Sequence, residues 1–257
     1  MKILNTSSEF FYPNLAKIVQ KRSQYNLPSV DDSVKFIIDD VIARGDQALF
    51  DYAKKFDGSN LSKDNILLSK DIRLSYKNKV DSNIIEAFKI AIKNITNFHN
   101  QQKPTDYTIN NQGVKTALIW KRIQSVGLYI PAGKAVYPSS VIMNVIPAKV
   151  AGVERITVVT PSKLDRIDPY ILAILDELNI SEIYQVGGAH AIAALAYGTQ
   201  SIKPVDKIFG PGNAYVASAK KQVFGKVGID LIAGPSEIVV VADKDNNPKW
   251  VASDLIA

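Results

Sequence analysis

In the first 115 positions apolar residues return mostly at intervals of three and four; after residue 123 they come in short unbroken runs. The first rhythm is that of amphipathic helices, the second that of buried strands. Val34, Ile37, Ile38, Val41 and Ile42 share one helical face. Gly45 breaks that helix, and Asp46 is placed to cap the next, which carries Leu49, Tyr52 and Phe56 before Asp57-Gly58 closes it. A later helix lines up Ile84, Phe88, Ala91 and Ile95, and Pro104 ends the helical region. Tyr107 and Ile109 then alternate with polar neighbours, Asn110-Asn111-Gln112-Gly113 reads as a turn, and alternation resumes from 114 to 123, which predicts a hairpin feeding a longer strand.

Beyond residue 123 the order is strand, small-residue loop, helix, repeated. Strands are expected at 125–130, 155–160, 182–186, 207–209 and 238–242, and helices at 139–150, 169–178, 189–197, 214–224 and from 248 onward. Strands alternating with helices of this length pair in parallel through right-handed crossovers. The runs Ile156-Thr157-Val158-Val159 and Ile238-Val239-Val240-Val241 suit a sheet covered on both faces. The expected fold class is α/β: a doubly wound, Rossmann-like parallel sheet preceded by helices. Asn247-Pro248 is a helix start, and the helix that follows runs to Ala257 with Trp250, Val251, Leu255 and Ile256 on an apolar face. That ending reads either as a terminal helix or as a helix cut in mid-pattern.

Composition narrows the class without naming a function. The 257 residues are 46% hydrophobic and 22% charged, which excludes low-complexity and collagen-like chains and allows a substantial core. The net charge of +6, from 31 basic and 25 acidic residues, is spread along the chain with no basic run interleaved with aromatics. It suits small anions such as dinucleotides, and no nucleic-acid partner is expected. There is no Cys, hence no disulfide framework and no thiolate metal site. No run approaches the ~18 apolar residues of a membrane span, and no signal-peptide core opens the chain, so a cytoplasmic protein without a membrane partner is expected.

Ligands of open parallel sheets bind beyond the carboxyl ends of the strands. Four glycine-containing loops fall there: Tyr129-Ile130-Pro131-Ala132-Gly133-Lys134, Gln185-Val186-Gly187-Gly188-Ala189-His190, Phe209-Gly210-Pro211-Gly212-Asn213 and Ala233-Gly234-Pro235-Ser236-Glu237. The second and third lead straight into helices, whose first amides favour negative charge. Each alone is a tight turn as readily as a ligand cradle; four at one end of a sheet make a ligand site the stronger reading. Asn213 can cap its helix or bond a ligand, and the same two roles are open to His190. The other histidine, His99, falls at a helix end and suits a surface role. No Gly-x-Gly-x-x-Gly follows a strand. The stretch from Gly127 to Gly133-Lys134-Ala135 departs from a P-loop in its spacing and in lacking the Ser or Thr that holds magnesium. No His-x-x-x-His and no His/Cys cluster is present, so a complete zinc site is not expected within the chain.

Taken in order with their flanks, these loops carry a specific text. It comprises Val126-Gly127-Leu128-Tyr129-Ile130-Pro131, Tyr137-Pro138-Ser139-Ser140-Val141, Pro147-Ala148-Lys149-Val150-Ala151-Gly152-Val153, Gln185-Val186-Gly187-Gly188-Ala189, Asp206-Lys207-Ile208-Phe209-Gly210-Pro211-Gly212-Asn213 and Ala233-Gly234-Pro235-Ser236-Glu237. The combination resembles histidinol dehydrogenase from about residue 30 to the end. The resemblance implies an NAD-dependent, zinc-requiring oxidation of L-histidinol to L-histidine through the aldehyde, in two hydride transfers. It implies NAD contacts at Tyr129, His190 and Asn213 and a substrate contact at Ser236. It implies an inserted Rossmann-like domain at 125–237, with 1–124 and 238–257 forming an incomplete second α/β domain, and a homodimer for the full-length protein. Two positions depart from the family: His190 stands where Gln is usual, and Ala132 where Gly is usual.

By the same resemblance the Zn2+ ligands and the Glu-His pair that moves protons are expected C-terminal to residue 257, beginning with a Gln-x-x-His on the last helix. No catalytic residue and no metal ligand is then expected in this chain, which alone is expected not to turn over histidinol and to expose apolar surface near its end. The alternative from another class is a catalytically silent nucleotide- or anion-binding α/β domain.

Overall fold

The computed structural model describes residues 4–23, 28–77, 79–132, 136–162, 166–232 and 238–256. Five helices come first: α1 (Phe11–Ser23), α2 (Pro28–Arg44), α3 (Asp46–Asp57), α4 (Lys70–Lys77) and α5 (Ser82–Asn100). A hairpin follows, β1 (Tyr107–Asn111) and β2 (Val114–Leu118). The remainder alternates: β3 (Ser125–Tyr129), α6 (Pro138–Val150), β4 (Arg155–Val159), α7 (Pro169–Glu177), β5 (Glu182–Tyr184), α8 (Gly188–Tyr197), β6 (Lys207–Phe209), α9 (Ala214–Val223), β7 (Gly228–Ile229) and α10 (Pro248–Ile256).

Strands β3 to β7 form one parallel sheet in the order β5-β4-β3-β6-β7. From β3 the chain winds outward through β4 and β5, then crosses back through α8 to lay β6 on the other side of β3. The winding therefore reverses between β3 and β6, the position where open α/β sheets hold ligands. This is the doubly wound, Rossmann-like order expected from the alternating apolar runs.

Two apolar layers sandwich the sheet. On one face Val126, Leu128, Ile130, Val158 and Ile183 meet α6 and α7, with Phe88, Ala91, Ile92 and Ile95 of α5 packed outside them. On the other, Val159, Tyr184, Val186 and Ile208 meet α8 and α9, and α2 and α3 close over these with Val34, Ile37, Ile38, Val41 and Leu49. Close approach of α8 needs a strand residue without a side chain: a Cβ on Gly127 would lie 2.8 Å from a methyl of Leu195.

Polar ties hold α2 and α3 in place. Buried Asp46 accepts from the backbone N–H and hydroxyl of Ser201 at 3.1 and 2.6 Å, while its own N–H donates to Gln200 at 2.8 Å. Asp46 is thus a bridge to the α8–β6 connection and not the expected cap; the residue before α3 is Gly45, which makes no side-chain cap. Asp31 of α2 likewise accepts from Ser218 and Lys221 of α9. The Ser218 hydrogen bond holds the Asp31 carboxyl below its usual range.

The hairpin is separate from the main sheet. Gln112 and Gly113 both take positive φ, 47° and 83°, the geometry of a two-residue turn matched to strand twist. All ten strand residues are exposed, and the expected longer strand stops at Leu118. Segment 238–242 forms no strand: Ile238, Val239 and Val241 are 55%, 87% and 92% exposed. An apolar run becomes a strand only against a neighbour that takes its hydrogen bonds, and among the described residues none lies beside it. Asn247 caps α10 through Lys249 N–H at 3.0 Å, as its sequence position suggests. The two tryptophans are both exposed, Trp120 after the hairpin at 56% and Trp250 in α10 at 74%.

Candidate functional site

At the switch point the N-terminal helices and the strand ends enclose a cleft of about 840 Å³. The sheet side supplies Tyr129 at the end of β3, Ala132, Pro161 after β4, Gly188, Ala189 and His190 in the first turn of α8, and Asn213 and Tyr215 at the start of α9. Helix α2 supplies Phe36, and α3 supplies Tyr52, Lys55, Phe56 and Asp57. Tyr129, His190 and Asn213, three residues far apart in sequence, thus line one space. Ser236 lies outside the described residues.

Tyr129 is buried at the end of its strand, and its hydroxyl accepts the Gly188 N–H at 3.2 Å. Burial pushes the phenol up to about 12, so it stays protonated at neutral pH and keeps its O–H to donate. Asn213 sits at the N-cap of α9, its Oδ1 accepting from Tyr215 and Val216 N–H at 3.1 Å each. The cap uses the carbonyl half of the amide; the Nδ2 half takes no part in it. The first amides of α8 and α9 are therefore partly engaged inside the protein, and the cleft offers aromatic walls as much as bare backbone.

His190 is the least satisfied polar group of the site. It does not cap α8, whose cap residue is Gly187. Its ring is 1% exposed, and neither nitrogen has a hydrogen-bond partner. It packs tilted against Tyr52 and Phe56, with centroids 5.6 and 6.2 Å away. Burial lowers it to about 3, so the imidazole is neutral, with one N–H to give and one lone pair to accept. A buried ring with both nitrogens unpaired, at the edge of a cleft, is what a ligand would complete. His99, by contrast, ends α5 with Nδ1 2.7 Å from Gln102 Oε1, away from the cleft, as expected of a surface residue.

Two groups that the sequence did not single out shape this end of the sheet. Lys220, 2% exposed within α9, donates to the Gly210 carbonyl at 2.9 Å and pairs with Asp230. Asp230 in turn accepts the Gly210 N–H at 2.9 Å. The Gly210 peptide is gripped on both sides, and its φ of 116° and closeness to the Tyr129 carbonyl admit only glycine. The second group is Asp57, the last residue of α3, whose carboxyl burial pushes up to about 6.

Among the described residues no group of three or more His, Cys, Asp or Glu could hold a metal ion. The described residues therefore do not fit zinc. The buried unpaired imidazole and aromatic walls do fit a flat, hydrogen-bonding cofactor.

Strand order and cleft together define the class: a Rossmann-like α/β protein with an open cleft at the switch point of its sheet. A family model described as histidinol dehydrogenase matches residues 20–257. The chain is 48% identical over 255 residues to histidinol dehydrogenase of Rhodospirillum rubrum, covering 99% of this chain and 58% of that protein. It is 49% identical over 258 residues to that of Listeria innocua, covering 100% and 59%. The crystal structure of histidinol dehydrogenase from Elizabethkingia anophelis superimposes with a TM-score of 0.83 at 39% identity, over 88% of this chain and 52% of that one. The chain belongs to the histidinol dehydrogenase family, and it spans about half the length of the curated relatives it matches.

Proposed function

We propose that this chain is the cofactor-binding part of an NAD-dependent, zinc-requiring histidinol dehydrogenase, which oxidises L-histidinol to L-histidine by way of histidinaldehyde. The observation that carries this reading is the meeting of Tyr129, His190 and Asn213 on one 840 Å³ cleft at the switch point of the sheet. In it Tyr129 offers a neutral phenol, as donor and as an aromatic face. His190 offers one N–H and one lone pair in place of the two ends of a glutamine amide. Asn213 offers its Nδ2. NAD, when bound, supplies the hydride acceptor. Ser236 is the proposed substrate contact. The zinc ligands and the proton-transferring pair are assigned to the part of the relatives that this chain does not match. The remaining elements of the proposal are an inserted domain at 125–237 between 1–124 and 238–257, a cytoplasmic location and a homodimer of the full-length protein.

Calorimetric titration of the 257-residue chain with NAD tests the reading. Saturable binding that weakens on Tyr129→Ala and on Asn213→Ala is expected, with no turnover of histidinol when NAD and zinc are supplied. Turnover by this polypeptide would overturn the division of labour. Binding of simple anions without preference for NAD would favour the silent nucleotide- or anion-binding domain.

A further inference from the structure

Resting on the NAD reading of the cleft, we infer that Asp57 is the residue that selects the cofactor: its carboxylate accepts hydrogen bonds from the hydroxyls of the adenosine ribose and excludes a phosphate at the same place. Three observations point there. First, Asp57 lines the cleft together with two aromatic residues, its neighbour Phe56 and Tyr129, and Tyr129 is near enough to sense the Asp57 charge. Second, its carboxylate has no hydrogen-bond or ion-pair partner among the described residues, although it is only partly exposed. The nearby cation that lines the cleft, Lys55, lies over the Phe56 ring, 5.4 Å from its centroid, and not against Asp57. Third, Asp57 closes α3, so it places an anion at the negative end of a helix, and Gly58 in the left-handed conformation ends the helix directly after it.

An anion that is desolvated, unpaired and at the wrong helix end is disfavoured three times over by the fold alone. Donors from outside the protein relieve all three costs. A vicinal diol brings two O–H donors and no charge, which matches the two oxygens of a carboxylate. A 2′-phosphate brings negative charge and acceptors instead, and meets repulsion within a few ångströms in a partly dry site. Asp32, on the α2 side, also lines the cleft and adds to the same sign of potential.

The test compares dissociation constants of the 257-residue chain for NAD, NADP, ADP-ribose, 2′-phospho-ADP-ribose and nicotinamide mononucleotide, by calorimetry. Wild type is expected to favour NAD over NADP, and ADP-ribose over its 2′-phosphate, by about 30-fold or more. Asp57→Asn should weaken NAD and ADP-ribose roughly 10-fold, the loss of charge-assisted hydrogen bonds, while leaving nicotinamide mononucleotide unchanged. Asp57→Ser, which removes the charge and makes room, should bring NADP to within about 3-fold of NAD. Melting temperatures of both variants establish that they fold. The inference is overturned if folded Asp57→Asn binds ADP-ribose as wild type does, or if only the mononucleotide weakens. Wild type that binds neither NAD nor ADP-ribose removes the NAD reading itself, a different result from a chain that binds both cofactors equally.

Discussion

Replacing Lys220 by Met keeps the length of the side chain and removes its charge. In the native protein that charge pairs with Asp230 and donates to the Gly210 carbonyl. Breaking a buried pair by deleting one partner costs roughly 3–5 kcal/mol. The Asp230 side chain is 21% exposed, so water reaches it in part and the cost falls to or just below the bottom of that range, at about 2–3 kcal/mol. The buried Gly210 carbonyl also loses a donor, adding about 1 kcal/mol. Lys220→Met is therefore expected to lose about 3 kcal/mol of stability, read by urea unfolding followed in the far-ultraviolet circular dichroism. Adding Asp230→Asn removes the stranded charge yet keeps an oxygen for the Gly210 N–H. The double variant should recover about half of the loss. A loss below about 1 kcal/mol for the single variant, or a double variant no more stable than the single one, would refute the account of a gripped glycine peptide.

Gly210→Ala should be poorly tolerated, losing more than about 3 kcal/mol, because the new Cβ meets the Tyr129 backbone and φ is positive. Gly113→Ala, with positive φ but open space around it, should lose only about 1 kcal/mol; equal effects in thermal melts would contradict the steric argument. His190→Leu removes two unpaired nitrogens, so stability should hold or rise by about 1 kcal/mol while NAD binding weakens roughly 10-fold; a large drop in melting temperature would show that the ring is structural. Asp57 titrates near 6 in the folded chain against 3.8 otherwise, so the folded state holds the extra proton between those values and stability falls as pH rises through them. Asp57→Asn should then stabilise the chain at pH 7.5 by about 1–2 kcal/mol after allowance for solvent screening, and the gain should vanish near pH 4. A gain that persists at pH 4 would rule out titration as its cause.

Where a segment's neighbours are implied by its own pattern, the sequence was a good guide. The run Ile156-Thr157-Val158-Val159 can be apolar throughout only if covered twice, and it forms β4, an interior strand between β5 and β3. The same argument failed at 238–242, because an apolar run states what a strand needs and not whether a partner is there. Helices α1 and α4 and the two-residue β7 are not among the elements expected from the sequence; α4 and β7 are short, at eight and two residues. Asp46 misled for a different reason: a cap and a long-range acceptor are the same residue type at the same place, and only the position of Ser201 decides between them. In the cleft, the glycine loops marked one wall. The opposite wall was hidden, since Phe36 and Phe56 look like ordinary members of amphipathic helices until the helices are seated. Phe56 recurs at helical spacing with Leu49 and Tyr52, yet it is 54% exposed and lines the cleft. Lys220 carried no local sign of burial, because its partners Gly210 and Asp230 are ten residues away on either side.

The placement of both tryptophans on outlying, solvent-facing elements decides what light can report about this molecule. Indole emission follows the hairpin exit and α10, and neither tryptophan lines the cleft. Tyr52, Tyr129 and Tyr215, which line the cleft itself, are native chromophores in position to register a ligand entering it, so ultraviolet difference spectra of the phenols are the optical window on the site.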